Sequence, residues 1–393
     1  MENMSNKNRI HSIINMSVFF LVFMCYTLKF LFPPFYALTD KYFGLFVFVS
    51  EGILLLNNFN PFSAIKNKDK EFFVVIALLL VTGLNLVIVK SGYGAYFTPA
   101  NFILIFYASD KIVFTKKQLK IMAGTYLTML MFWLVVLYPP YFGAYDALFP
   151  LNTNGAATFS VYTFLCAYIL IDDLFERYKI FGVLIAILFV RMIRLDIWHR
   201  ARGALVILTL FSIFYYLVPK SFWKSGRRVA VLMTLATFGS LIFVFSYTLL
   251  GKTGFNLFIP VFYKNIFSGR EAIWYEFFMH FKDMPLTGVG TNFTIESFQE
   301  FNVHNAMYDI LAIHGVIVFV GTMYFVYKRM LSFREKYTQN KTCYLAFCIV
   351  MAVFFESFID VDLIWVDYAL NLMFLLAVIN NYGNDLSDVE VKS

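Results

Sequence analysis

Four arginines lie within the thirteen residues "RMIRLDIWHRARG", which span positions 191–203 between two strongly apolar stretches: Arg191, Arg194, Arg200 and Arg202. A charged side chain at membrane depth costs roughly 2.5–3.5 kcal/mol, so this cluster implies a negatively charged partner. Within the segment only Asp196 is acidic. The planar guanidinium group suits phosphate oxygens, which predicts an external diphosphate as the partner. His199 is a further candidate to orient that ligand.

The four arginines do not all require a ligand. Arg191 and Arg194 stand on the first apolar stretch, from which long side chains can reach anionic lipid headgroups. Arg200 and Arg202 stand at the start of the next apolar stretch, where binding of a substrate is the favoured interpretation. Both interpretations of the first two arginines remain open.

A second group of chemically useful residues lies in the long polar segment 251–304, within "SGREAIWYEFFMHFKDMPLTGVG" at 268–290. Ser268 and Glu271 have the spacing of a capping box, which predicts a helix start. Aromatic residues then recur at the spacing of one helix face: Trp274, Phe277, Phe278 and Phe281. Pro285 and Gly288 predict its end. We expect a short amphipathic helix that lies on the membrane surface or covers a cavity.

Arg270 falls in the first turn of that helix. Free backbone N–H groups and the helix dipole favour an anion at this position, and a cation alone is unfavourable there. A bound phosphate would explain the arginine, and a salt bridge with Glu271 or Asp283 is the alternative.

His304 and Asn305 lie where the long segment meets the next apolar stretch. A histidine at an external membrane boundary can act as a general base near neutral pH. It can equally form an interfacial hydrogen bond without taking part in chemistry. His314, about two to three helical turns further along, is expected to be structural.

The composition predicts where these residues sit. The chain has 393 residues, of which 60% are hydrophobic, and this is typical of a polytopic all-α membrane protein. The net charge of +7 is expected to lie mostly in cytoplasmic loops, so nucleic acid is not an expected partner. Apolar runs predict about twelve transmembrane helices, at 13–33, 42–57, 72–89, 93–107, 120–138, 156–171, 180–193, 204–218, 229–250, 305–327, 343–359 and 363–380.

Loop charge predicts the orientation. With both termini in the cytoplasm, every large cluster of lysine and arginine but one faces inward, as the positive-inside rule requires. The exception is 191–203, which faces outward together with 251–304. We therefore expect a single membrane domain, 1–393, whose active site opens on the external side of a bacterial cytoplasmic membrane.

Taken in chain order, these motifs resemble those of the O-antigen ligase and O-antigen polymerase superfamily. The resemblance lies in Gly-Arg, a following Trp, "PLTGVG" at 285–290, "HNAMYDILAIHG" at 304–315, and "RARGALVIL" at 200–208. Ala201 stands where that family usually has Ser, so any role of that hydroxyl is absent.

The resemblance implies a GT-C-like fold and a metal-independent glycosyltransferase that uses a polyprenyl-diphosphate-linked donor, with no cofactor or metal. It implies that Arg202 and Arg270 hold the diphosphate and that His304 is the catalytic base or positions the acceptor, supported by Asn305. Trp274, as part of the motif, is a further candidate for substrate binding. The expected partners are undecaprenyl-diphosphate-linked oligosaccharide and membrane lipids, and the flippase and chain-length regulator of the same pathway are further candidates.

The resemblance leaves three candidate functions. A polysaccharide repeat-unit polymerase, for O-antigen or capsule, is favoured because "FPLNTNGAAT" at 149–158 resembles an element of the polymerases. An O-antigen ligase, acting on lipid A-core in lipopolysaccharide biosynthesis, would need a similar donor site. A flippase or transporter for the same lipid-linked sugar suits twelve helices, but the halves show no clear repeat. "DVD" at 360–362 is interpreted mainly as a polar turn, with acceptor or metal binding as the lesser alternative.

Overall fold

The computed structural model describes residues 6–31, 33–137, 153–255, 257–262, 264–267, 269–292 and 303–382. The chain is about 81% helical with almost no strand, which confirms the all-α prediction. Six helices in the described ranges are long and apolar enough to cross a membrane. Each of the twelve predicted apolar runs overlaps a helix.

The helices are numbered here in chain order. They are α1 Asn6–Leu31, α2 Pro33–Asn58, α3 Pro61–Lys66, α4 Lys70–Ile88, α5 Gly94–Ala108, α6 Lys116–Phe132, α7 Thr153–Arg177, α8 Phe181–Trp198, α9 Arg202–Ser212, α10 Lys220–Lys224, α11 Gly226–Lys252, α12 Arg270–Phe281, α13 Ala306–Ser332, α14 Arg334–Gln339, α15 Lys341–Glu356 and α16 Ala369–Asn381. Helices α6 and α9 each continue into a π-helical turn, Trp133–Leu137 and Ile213–Leu217.

Helix starts follow local capping chemistry. The side chain of Asp69 accepts the backbone N–H groups of Glu71 and Phe72 at the start of α4. Thr115 and Gln118 form a reciprocal capping box at the start of α6. These side chains satisfy backbone donors that have no partner within the helix.

Helices α15 and α16 form the centre of the bundle, and nearly all their side chains are buried. Helix α9 runs antiparallel to α15. At one end Gly203 lies against Glu356, and at the other the hydroxyl of Tyr344 donates to the carbonyl of Phe214 at 2.8 Å. We call the first the arginine end, because it carries Arg202, and the second the lysine end, because it carries Lys220, Lys224 and Lys341.

Helix α12 differs from its predicted form in two respects, its N-cap and its buried face. Its N-cap is Gly269, in the left-handed conformation and without a side-chain capping bond, while Ser268 lies outside the described residues. The buried side chains are Ile273, Trp274 and Phe277, whereas Phe278 is exposed. The helix packs against α11 and α13, so its apolar face contacts protein.

The "PLTGVG" segment has a clear structural function. Helix α13 is broken at Gly315, whose φ is 83° and ψ 171°. The 285–290 segment supplies the missing backbone partners: Val289 N–H donates to Ala312 O at 2.8 Å, and Gly290 N–H donates to Ile313 O at 3.1 Å. In return, Val316 N–H donates to Pro285 O at 2.8 Å. The motif therefore closes the hydrogen bonds of a broken helix.

Candidate functional site

Asp360 joins two of the residues singled out in the sequence. Its Oδ2 lies 3.3 Å from Nη2 of Arg270, and its Oδ1 lies 3.4 Å from Nδ1 of His304. The arginine comes from the first turn of α12, the histidine from the residues before α13, and the aspartate from the turn after α15. The salt bridge of Arg270 is therefore with a residue 90 positions away, and not with Glu271 or Asp283.

His304 is held in a strained backbone conformation, with φ of 51°. The left-handed region is uncommon for a residue with a side chain and persists where neighbours impose it. Two neighbours do so here. The indole N–H of Trp274 donates to the carbonyl of Val303 at 2.6 Å, and Asn305, the next residue, is the N-cap of α13.

Asn305 is fully buried and its side chain is saturated by protein partners. Its Oδ1 accepts the N–H of Tyr308, and its amide nitrogen donates to Ser240 at 2.8 Å and to the carbonyl of Phe358 at 2.7 Å. Trp274 is also fully buried. We therefore reassign Asn305 and Trp274 from ligand contact to positioning of His304 and of the turn that carries Asp360.

Arg202 lies at the same end of the bundle. Its Nη1 donates to the carbonyls of Asn265 and Ile266, at 2.9 and 3.1 Å. Asn265 ends the second strand of a two-stranded antiparallel hairpin, Phe258–Ile259 with Lys264–Asn265, and Ile266 follows it. The hairpin therefore orients Arg202. Burial and the nearby positive charge of Arg270 lower the pKa of Arg202. A guanidinium has five N–H donors, and Nε and Nη2 form no hydrogen bond with the described residues.

Two buried carboxyls lie beneath Asp360. Glu356 and Asp362 are almost inaccessible and neighbour one another. Glu356 reaches the first turn of α9 because residue 203 is glycine, and a Cβ there would lie 2.7 Å from Glu356 Oε1. This explains the glycine that follows Arg202.

The aspartates of the 360–362 turn differ in protonation. Burial raises the pKa of Asp360, but the hydrogen bond with His304 and the charge of Arg270 outweigh it and hold the pKa below its ordinary value. Burial, together with the negative charge of Asp360, raises the pKa of Asp362 well above its ordinary value. Asp360 is therefore ionised at neutral pH, whereas Asp362 holds its proton to a higher pH than an ordinary aspartate does.

Asp362→Asn should increase thermal stability, and the increase should grow as pH rises above the ordinary aspartate pKa of 3.8. Above that pKa the unfolded chain ionises Asp362, while the raised pKa in the folded chain opposes its ionisation, so ionisation favours unfolding. Asparagine resembles the neutral acid and has no such cost. Thermal unfolding in detergent, compared between acidic and neutral pH for the variant and wild type, tests this. A variant that loses stability as pH rises, relative to wild type, would contradict the assignment.

The remaining candidates lie on or after α8. Arg194 and Arg200 line a groove of about 630 Å³ together with Val190, Ile193, Ile197, Trp198 and Val261. Arg191 is half-buried on α8 and is not part of this lining. His199 follows α8, and burial lowers its pKa to about 4, so it is neutral at physiological pH. Val261 belongs to the hairpin that holds Arg202, so the groove adjoins the arginine cluster.

No protein-family model matches the chain, and no curated protein matches it. Function is therefore inferred from the residues of the site. The polymerase-like element 149–158 is described only from residue 153 onward, where α7 begins, because 138–152 lie outside the described residues.

Sequence reasoning did not assign Asp360 a role. Its signal was present, because "DVD" falls between the last two apolar runs, on the same predicted side as His304 and Arg270. A polar turn at that position is far commoner than a functional carboxylate, and only the packing of α12 against α11 and α13 shows which residue of the turn meets the arginine.

Proposed function

We propose that this chain is a polysaccharide repeat-unit polymerase: a metal-independent glycosyltransferase that moves a glycan from an undecaprenyl-diphosphate donor to a hydroxyl of a second lipid-linked repeat unit. The observation that carries the proposal is the meeting of Arg202, Arg270 and the His304–Asp360 pair at one end of the bundle. They come from distant parts of the chain. Cationic donors and an oriented imidazole are what transfer from a diphosphate donor requires.

The donor's diphosphate is assigned to Arg202 and Arg270. Both side chains are anchored by protein acceptors, at the 265–266 carbonyls and at Asp360, so their remaining N–H groups point in fixed directions. Preorganised donors stabilise charge that develops on a leaving group without reorganising during the reaction. This supports diphosphate departure without a requirement for a divalent metal.

The donor's isoprenoid chain is assigned to the groove on α8. Its lining is apolar apart from Arg194 and Arg200, and both arginines lie towards the arginine end of α8. An apolar channel that ends in two cations matches the chemistry of a lipid diphosphate.

His304 is assigned as the general base, through Nε2. Because Nδ1 faces the ionised Asp360, the proton of the neutral imidazole is held on Nδ1 and Nε2 is basic. The acceptor hydroxyl oxygen attacks the anomeric carbon and its proton passes to Nε2. The bond from that carbon to the diphosphate oxygen breaks, and the diphosphate leaves with its negative charge held by the arginines. A positioned base contributes about 10²- to 10⁴-fold in rate.

Purified protein in proteoliposomes, supplied only with undecaprenyl-diphosphate-linked repeat unit, tests the proposal. We expect a ladder of longer glycans on a gel, which Arg202→Ala and His304→Ala abolish. Arg227→Ala, an exposed arginine at the lysine end, and His280→Ala, an exposed histidine of α12, are matched controls and should keep the ladder.

Other outcomes separate the alternatives. A product that forms only after addition of lipid A-core or another acceptor would replace the polymerase by a ligase. Movement of the lipid-linked sugar across the membrane with no new glycosidic bond under any condition would replace the enzyme by a flippase or transporter.

A further inference from the structure

A second, smaller cavity of about 180 Å³ lies at the lysine end of the bundle, remote from the arginine cluster. It is enclosed by α10, by the end of α14 and by the start of α15. Its lining consists of three lysines, three aromatic residues and three polar residues: Lys220, Lys224, Lys341, Trp223, Tyr337, Tyr344, Thr338, Gln339 and Asn340. No acidic residue is among them.

The charge of this cavity is only partly balanced. Lys341 forms salt bridges with Asp172 and Glu176, both at 2.8 Å. Within the described ranges, Lys220 and Lys224 are exposed and have no carboxylate within salt-bridge distance. Two ammonium groups therefore face the cavity mouth without a counterion from the described part of the chain.

Trp223 adds an unused hydrogen-bond donor. Its side chain is buried, and its Nε1 forms no hydrogen bond of good geometry with a described residue, although the Tyr344 side chain lies beside it. A buried indole N–H normally has a partner, and Trp223 lines the cavity. Arg334 donates to the carbonyl of Lys224 at 2.7 Å, which fastens α10 to α14 and keeps the cavity walls together.

We propose that this cavity binds the phosphate group of an anionic ligand. Lysine ammonium groups and a buried N–H donor supply what phosphate oxygens accept, and basic pockets between helices on the cytoplasmic side of membrane proteins hold anionic headgroups. On the proposed topology the lysine end faces the cytoplasm. The phosphate can belong to an anionic phospholipid or to free phosphate. The site is independent of the glycan chemistry at the arginine end.

The full chain, purified in detergent, should be titrated with phosphatidylglycerol and with phosphatidylcholine, and bound lipid counted by native mass spectrometry. Wild type should prefer phosphatidylglycerol. Lys220→Gln/Lys224→Gln should weaken that binding by roughly 10- to 30-fold, as expected for the loss of two lysines near the membrane surface. Lys66→Gln/Lys70→Gln removes the same charge from exposed positions on α3 and α4 and should bind as wild type does.

Inorganic phosphate at constant ionic strength forms the second arm. If phosphate displaces phosphatidylglycerol from wild type, free phosphate is an alternative occupant of the cavity. If phosphate does not displace the lipid, the cavity is specific for the lipid headgroup. Trp223→Phe keeps the ring and removes only the donor, so it should also weaken binding while thermal unfolding is unchanged. Equal binding of the two lipids by wild type, or equal loss in the Lys66/Lys70 control, would overturn the proposal.

Discussion

Asp360→Asn should lower the rate of glycan transfer by roughly 10²- to 10⁴-fold, the range spanned by loss of an oriented general base. In the wild-type protein the ionised carboxylate of Asp360 accepts a hydrogen bond from Nδ1 of His304 and pairs with Arg270. An asparagine can instead present its N–H₂ group to Nδ1, which moves the imidazole proton to Nε2 and removes the base. The charge of Arg270 also loses its partner. The effect should therefore appear in kcat as well as in kcat/KM.

Asp362→Asn is the matched control for this variant. The two aspartates are two positions apart in one turn, yet burial and the charge of Asp360 raise the pKa of Asp362. The raised pKa favours the neutral acid, which asparagine resembles, so this replacement should change turnover little. Both variants should be measured in the ladder assay, with binding of the lipid-linked donor measured separately.

The pairing of Asp360 with His304 also predicts that the effects of the two single variants on the transfer rate are not additive. If Asp360 acts through His304, the double variant Asp360→Asn/His304→Ala should be no slower than His304→Ala alone, because groups that act as a unit are not additive. Independent, multiplying losses would mean that Asp360 does not act through the histidine. Equal losses for Asp360→Asn and Asp362→Asn would point to a general disturbance of the turn.

The sequence alone predicted the long apolar helices, but not the short helices α3, α10 and α14. Apolar runs of helical length locate helices because each such run must be buried in lipid or in protein. The sequence also predicted that Arg270 and His304 lie on one side of the membrane, and in the structure both contact Asp360. The partner of Arg270 could not be predicted: Glu271 and Asp283 are the candidates near it in the sequence, whereas the meeting with Asp360 depends on the packing of α12 against α11 and α13.

For Trp274 and Asn305 the sequence indicated importance but not the kind of role. Their place in the motif marks them as important, but sequence order does not distinguish a side chain that contacts a ligand from one that holds its neighbour. In the structure Trp274 and Asn305 are fully buried and bonded to protein. They fix the residues on either side of His304, whose left-handed backbone requires such support. The same packing that hides them from a ligand makes the histidine rigid.

Gly315→Ala and Gly288→Ala should each destabilise the protein by more than about 4 kcal/mol, enough to prevent recovery of folded protein. Gly315 has φ of 83° and ψ of 171°, a region accessible essentially to glycine alone. A Cβ at Gly315 would collide with the carbonyl of Leu286, and one at Gly288 with the carbonyl of Ile313. These are backbone atoms, which cannot rotate away.

Relief of either collision must separate the 285–290 segment from α13, which breaks the hydrogen bonds of Val289, Gly290 and Val316 and leaves buried donors without acceptors. Folded yield and thermal unfolding in detergent measure the effect. Gly52→Ala is the control, because Gly52 lies within α2 with no atom near its would-be Cβ, and alanine in a helix interior is neutral or stabilising. His304 lies just before α13, and the 285–290 segment follows α12, which carries Arg270. A stable Gly315→Ala protein with full transfer activity would therefore mean that the broken helix does not position the site.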